Sequence, residues 1–135
     1  MLISVGAQKR IRKWVEDRLG LGAMDPTERG RRLLEEAVEL AQACGVKQAQ
    51  AEKLLAIVYK RHEDGVVFTE VGAVLVTVMA VAESYHYDAT ECLERELERI
   101  ENVPVQQTYE KQMRNLFEEI GAAPLLEGKE CKRPV

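Results

Sequence analysis

Three glutamates fall within five positions of the stretch "RRLLEEAVELAQA", which runs from Arg31 to Ala43: Glu35, Glu36 and Glu39. Carboxylates at i and i+3 of a helix project to neighbouring points and are able to share one cation. A fourth acid, Glu70, opens a stretch, "VGAVLVTVMAVA", that carries no charge at all. Such a set has two readings. One is a wet helix face with a dipole-complementing glutamate at the next helix start. The other is a claw for a hard divalent ion such as Mg²⁺, which takes oxygen ligands and needs only one or two carboxylates.

The element that carries the first three is an amphipathic helix. At 100° per residue, Leu33, Ala37, Val38, Leu40 and Ala41 define a broad apolar arc. Glu36 and Glu39 lie about 60° apart on the other side, with Arg32 between them and Glu35 next to Glu39. The wheel alone does not promote them to ligands. Glu70 stands where its helix enters the core, because a helix apolar all round needs enclosing on every side.

The rest of the chain is expected to be helical too. Its 135 residues suffice for one domain with a core of its own. Hydrophobic residues make up 46%, but aromatic ones only 5%, with Gly and Pro few and scattered, which suits helices better than a β-sandwich. A first helix is expected over Ser4–Leu19, with Ile11, Trp14, Val15 and Leu19 on one stripe. Asp25-Pro26 caps and starts a second, which Gly45 ends after Cys44. A third runs from Lys47 to Arg61. Thr69 is placed to cap a fourth, reaching Tyr85, whose run Val71–Ala82 reads as a buried core helix, too short to cross a bilayer. Asp88-Ala-Thr-Glu91 has capping-box spacing and opens a fifth, with Leu93, Leu97 and Ile100 on its seam. Pro104 interrupts it, a last stripe follows from Tyr109 through Met113, Leu116 and Phe117 to Ile120, and residues 121–135 read as irregular.

Charge and cysteine content narrow the function. The net charge of −4, with only the modest basic stretch "QKRIRK", argues against a broad nucleic-acid-binding face. Cys44, Cys92 and Cys131 are odd in number and far apart, with no CxxC, and the histidines are His62 and His86. That argues against a zinc site or a disulfide framework and fits a reducing cytoplasm. The N-terminus lacks the apolar core of a signal peptide.

The pattern Glu-Glu-x-x-Glu on one helix, then a spacer helix and loop, then a glutamate opening an apolar helix, resembles the all-α nucleoside triphosphate pyrophosphohydrolases of the MazG-like superfamily. The likeness rests on "LLEEAVELAQA", on "TEVGAVLVTVMAVAESYHYDATECLERELERI", and on the helix order between them. It spans about Asp25 to Asn102. It implies an all-α bundle of five to six helices and a Mg²⁺ (or Mn²⁺) site of Glu36, Glu39 and Glu70. It also implies a role for Glu35 in orienting the attacking water or holding a second ion. The substrate implied is a nucleoside triphosphate, cleaved to the monophosphate and pyrophosphate; Arg32, Lys60 and Arg95, with Arg61, are the cations available to grip its phosphates. A homodimer or homotetramer is implied as well, and the seam Leu93–Leu97–Ile100 is a stripe it would bury.

One position departs from the family pattern. Where an Asp is expected three residues after Glu70, this chain has Ala73. Glu63, Asp64 or a water on Thr77 are the substitutes at hand. The departure leaves open a catalytically weakened or inactive relative that binds a nucleotide or serves in assembly. A helical partner-binding protein without ligand is the third reading.

Overall fold

In the computed structural model, which describes residues 5–61 and 64–108, the chain is all-α, and no strand occurs among the described residues. The elements are α1 (Val5–Leu19), a 3₁₀ turn (Leu21–Met24), α2 (Pro26–Ala43), α3 (Gln48–Lys60), α4 (Val67–Ser84) and α5 (Ala89–Asn102). The last stripe, Tyr109 to Ile120, and the tail 121–135 lie outside the described residues.

Local chemistry sets the helix ends. Asp25 Oδ2 accepts from the Glu28 amide at 3.1 Å, and Pro26 follows as the first helical residue of α2. Gly45, with φ of 93°, closes α2: its amide donates to Gln42 O, and that of Val46 to Ala41 O. His86 does the same for α4 at φ 58°, its amide donating to Glu83 O and that of Tyr87 to Ala82 O. Gln50 Oε1 reaches back to the Lys47 amide at 3.2 Å before α3. Asp88 Oδ1 accepts from Thr90 N at 2.7 Å and Glu91 N at 3.1 Å, and these bonds hold its carboxyl below the ordinary carboxylate value. Thr69 caps nothing; α4 begins two residues earlier, with Val66 at the cap position, so Thr69 is inside the first turn. After Asn102 the backbone turns helically again over Val105–Thr108, with Pro104 O accepting from Gln107 and Thr108.

The chain divides into two units, one of Met1–Arg29 with Asp88–Val135 and one of Gly30–Tyr87. The first has a core. Val15, Leu19 and Ala23 are buried together, with Trp14 and Met24 packed against them, and Leu97 is 2% exposed. Trp14 Nε1 donates to Ile100 O at 3.0 Å, and Arg18 donates to the carbonyls of Glu101 (2.7 Å) and Val103. The seam of α5 is thereby largely covered by its own chain: Leu97 is buried, and Leu93 and Ile100 are half-buried. It is not the free stripe expected for assembly.

In the second unit α3 and α4 have no buried residue. The expectation that α4 is a core helix is therefore corrected for the single chain. Its apolar side chains stand open, Phe68 at 89%, Val67 at 76% and Val76 at 69% exposure, because no element of this unit is laid over them. By length and composition Val67–Ser84 is also able to cross a membrane, with a mean hydropathy of 1.6, whereas the run Val71–Ala82 alone reads as too short.

Candidate metal centre

The expected carboxylates all lie in the unit Gly30–Tyr87. On α2 the side chain of Arg32 is drawn in (13% exposed) and its two terminal nitrogens donate separately, one to Glu35 and one to Glu36 Oε1 at 2.8 Å. One guanidinium thus sits as an internal counter-ion between the two acids. That geometry follows from the i, i+3 and i, i+4 spacing of Arg32 with Glu35 and Glu36. Glu39, one turn past Glu35, is exposed and takes no ion-pair partner among the described residues.

Glu70 sits in the first turn of α4, where a carboxylate complements the helix dipole. Its side chain folds back over Gly65. A Cβ built on Gly65 would lie 2.7 Å from Glu70 Cγ and 2.8 Å from its Cδ, with Oε1 closer still. A side chain at position 65 would have to displace the flexible Glu70 side chain from the space it takes over the glycine. Three residues on, Ala73 is exposed, and its carbonyl accepts from the Thr77 hydroxyl at 2.9 Å. Thr77 is engaged by its own helix rather than held out for a water.

Among the described residues no three His, Cys, Asp or Glu side chains gather into a group that holds a metal. The structure therefore does not bring Glu36, Glu39 and Glu70 together within one chain: the first is turned to Arg32 and the last to Gly65. Asp64 is exposed beside Gly65, and Glu63 lies outside the described residues. The donor set remains hard and all-oxygen, the kind that suits Mg²⁺ or Mn²⁺ and not zinc.

The cations expected to grip phosphate are placed unequally. Arg32 is already engaged by Glu35 and Glu36. Lys60, in the last turn of α3, is exposed and without an ion-pair partner among the described residues, as is Arg61 after it. Arg95 belongs to the other unit and pairs with Glu91 one turn back on α5 at 2.5 Å.

Two arrangements were not read from the sequence. Tyr85 and Tyr87, on either side of the left-handed His86, stack with ring centroids 5.9 Å apart and planes 15° from parallel. A hydrogen bond with the Cys44 thiol, at the far end of α2, holds the Tyr85 phenol above its ordinary value. The alternation Tyr-His-Tyr just after an apolar helix is the signal that carried it. In the other unit, Arg10, Lys13, Trp14, Asp17, Arg18 and Glu101 line a hollow of about 350 Å³. Its cations are engaged: Arg10 with Glu101 (3.0 Å) and Glu94 (3.1 Å), Lys13 with Asp17, and Arg18 with backbone carbonyls. Three of the four cations of the basic stretch near the N-terminus, Arg10, Arg12 and Lys13, are thus held in ion pairs inside their own unit.

No family model, no curated protein and no solved structure matches the chain.

Proposed function

We propose that the chain is a Mg²⁺-dependent nucleotide pyrophosphohydrolase of the MazG-like type, which cleaves a nucleoside triphosphate to the monophosphate and pyrophosphate in the cytoplasm. The observation that carries this reading is the acidic face of α2, where Arg32 neutralises Glu35 and Glu36 while Glu39 stands unpaired beside them. Carboxylates this close need a cation, and Arg32 is the one the chain supplies itself. Glu36 and Glu39 would hold Mg²⁺, which would supply the charge that lets a polyanion approach and would polarise the phosphoryl oxygens. With the metal in place, Arg32 would be free to turn its planar fork toward phosphate oxygens. Glu35 then orients the water that attacks the α-phosphorus and takes its proton. Glu70 joins the site by swinging off Gly65, a rotamer change of a flexible side chain. Lys60, without an ion-pair partner among the described residues, is a cation of this unit for the outer phosphates. The two described cysteines, Cys44 and Cys92, are free and exposed, as a reducing compartment allows.

Ala73 favours a second reading, a relative that binds a nucleotide or serves in assembly without turnover, because one expected carboxylate is absent. A panel of nucleoside triphosphates screened for pyrophosphate release with Mg²⁺ and with Mn²⁺ decides between them. Turnover that depends on the metal supports the hydrolase. Nucleotide-dependent thermal stabilisation without pyrophosphate supports the second reading.

A further inference from the structure

We propose that the stacked pair Tyr85 and Tyr87 is a platform for a nucleobase, which lies on the outer face of Tyr87, purines more tightly than pyrimidines. The choice of a nucleobase as occupant rests on the nucleotide chemistry proposed above.

Two of the chain's seven aromatic residues meet at the end of α4. Their planes lie 15° from parallel and their centroids 5.9 Å apart, an offset stack of the kind aromatic pairs favour. Although each ring shields the other, Tyr87 stays 62% and Tyr85 47% exposed, so Tyr87 is the more open of the two. The backbone fixes both. The amides of His86 and Tyr87 donate to Glu83 O at 3.0 Å and Ala82 O at 2.9 Å, and His86 between the rings holds the left-handed φ of 58°. The hydrogen bond with the Cys44 thiol ties the phenol end of Tyr85 to the end of α2. Stopping a helix needs none of this, for α2 closes on Gly45 with no aromatic residue beside it. A left-handed residue other than glycine is uncommon, and such positions gather where ligands are held.

The geometry selects a flat occupant. Near-parallel rings make a surface and not the cage that a quaternary ammonium group needs. A planar ring continues the stack instead, and every base has a face able to do so. Purines offer the larger face. Charge around the platform is mixed: Glu83 and Asp88 flank the pair in sequence, and Lys47 follows Cys44 by three residues. The Asp88 carboxylate already accepts from the Thr90 and Glu91 amides, and Lys47 has no ion-pair partner among the described residues. Neither sign dominates, so an uncharged ring is favoured over a guanidinium, the other flat group that stacks on aromatic faces. The platform also adjoins the end of α2 nearer the proposed metal acids, since Glu39 precedes Cys44 by five residues, about 7.5 Å of helix rise.

The test reads the tyrosine ring signals of the full chain by NMR under two separate additions. One is adenosine, guanosine, cytidine or uridine without metal; the other is Mg²⁺ with inorganic tripolyphosphate, which has no base. The nucleosides should shift the Tyr85 and Tyr87 signals, assigned through Tyr85→Phe and Tyr87→Phe, at lower concentration for the purines. Tyr87→Phe should keep the binding, whereas Tyr87→Leu, apolar but without a π face, should weaken it about five- to hundredfold, the range of one base–aromatic stack. Tyr87 is exposed, so the substitution leaves the packing of the chain alone. Binding undiminished in Tyr87→Leu overturns the proposal, and so does arginine amide shifting these signals where nucleosides do not. Metal-dependent stabilisation by tripolyphosphate with no nucleoside effect overturns the platform and leaves the hydrolase reading standing. Nucleoside binding at the rings with no tripolyphosphate effect supports the platform and counts against the metal reading.

Discussion

Replacing Ala73 by aspartate tests the candidate site where it departs from the family it resembles. The new carboxylate would stand one turn from Glu70 on the same helix, close enough for both to reach one ion. Without metal the change costs little, because Ala73 is exposed in the single chain. Lost helix propensity amounts to ~0.5–0.7 kcal/mol, and repulsion from Glu70 three residues away adds ~0.2–0.5 kcal/mol. The sum, about 1 kcal/mol, lowers the melting temperature by about 4 °C for a chain of this size. With saturating Mg²⁺ the sign turns: a tenfold gain in affinity stabilises the folded state by about 1.4 kcal/mol, which exceeds the loss. If Ala73 is packed against another copy, the same aspartate buries an unpaired charge and costs several kcal/mol. The assay is a pair of melting curves for each protein, with Mg²⁺ and with chelator, alongside light scattering. A variant destabilised equally in both conditions, with no gain in metal affinity, refutes the metal reading of this helix. If dissociation accompanies that loss, Ala73 belongs to the covered face of the assembly.

Arg32→Gln should raise divalent-metal affinity several-fold, since Glu35 and Glu36 lose their internal counter-ion, while pyrophosphate release falls; titration calorimetry and a turnover assay would show the two effects moving apart, and unchanged metal affinity would count against Arg32 as the ion's stand-in. Leu97→Ala should cost ~2–4 kcal/mol in denaturant unfolding, because the side chain is 2% exposed in the one unit with a buried core. Asp88 has a folded-state carboxyl value lowered by the Thr90 and Glu91 amides, so its contribution is complete above the unfolded value near ~3.9 and is lost as pH falls through the lowered folded value. Helicity followed from neutral to acid pH should show that loss, and Asp88→Asn, which caps without titrating, should flatten it.

What the sequence determined by itself is local. Pro26 after Asp25, Gly45 after α2 and Asp88 before α5 mark helix ends through hydrogen bonds made within a few residues, so the all-α class and five helices were legible without coordinates. The pairing of Arg32 with Glu35 and Glu36 is also a matter of helical spacing, although the wheel placed that arginine between Glu36 and Glu39 and left its partner open. The tertiary structure decided what covers each face. It covered Leu97 in α5 and left α4 open, the reverse of the expectation drawn from their apolar content. Periodicity shows that a face must be buried and not by which element, because the covering residues are distant in sequence or belong to another chain. The reach of Glu70 was hidden for the same reason: a helix start fixes its Cα, while its rotamer was settled by the vacancy at Gly65, where no side chain competes for the space.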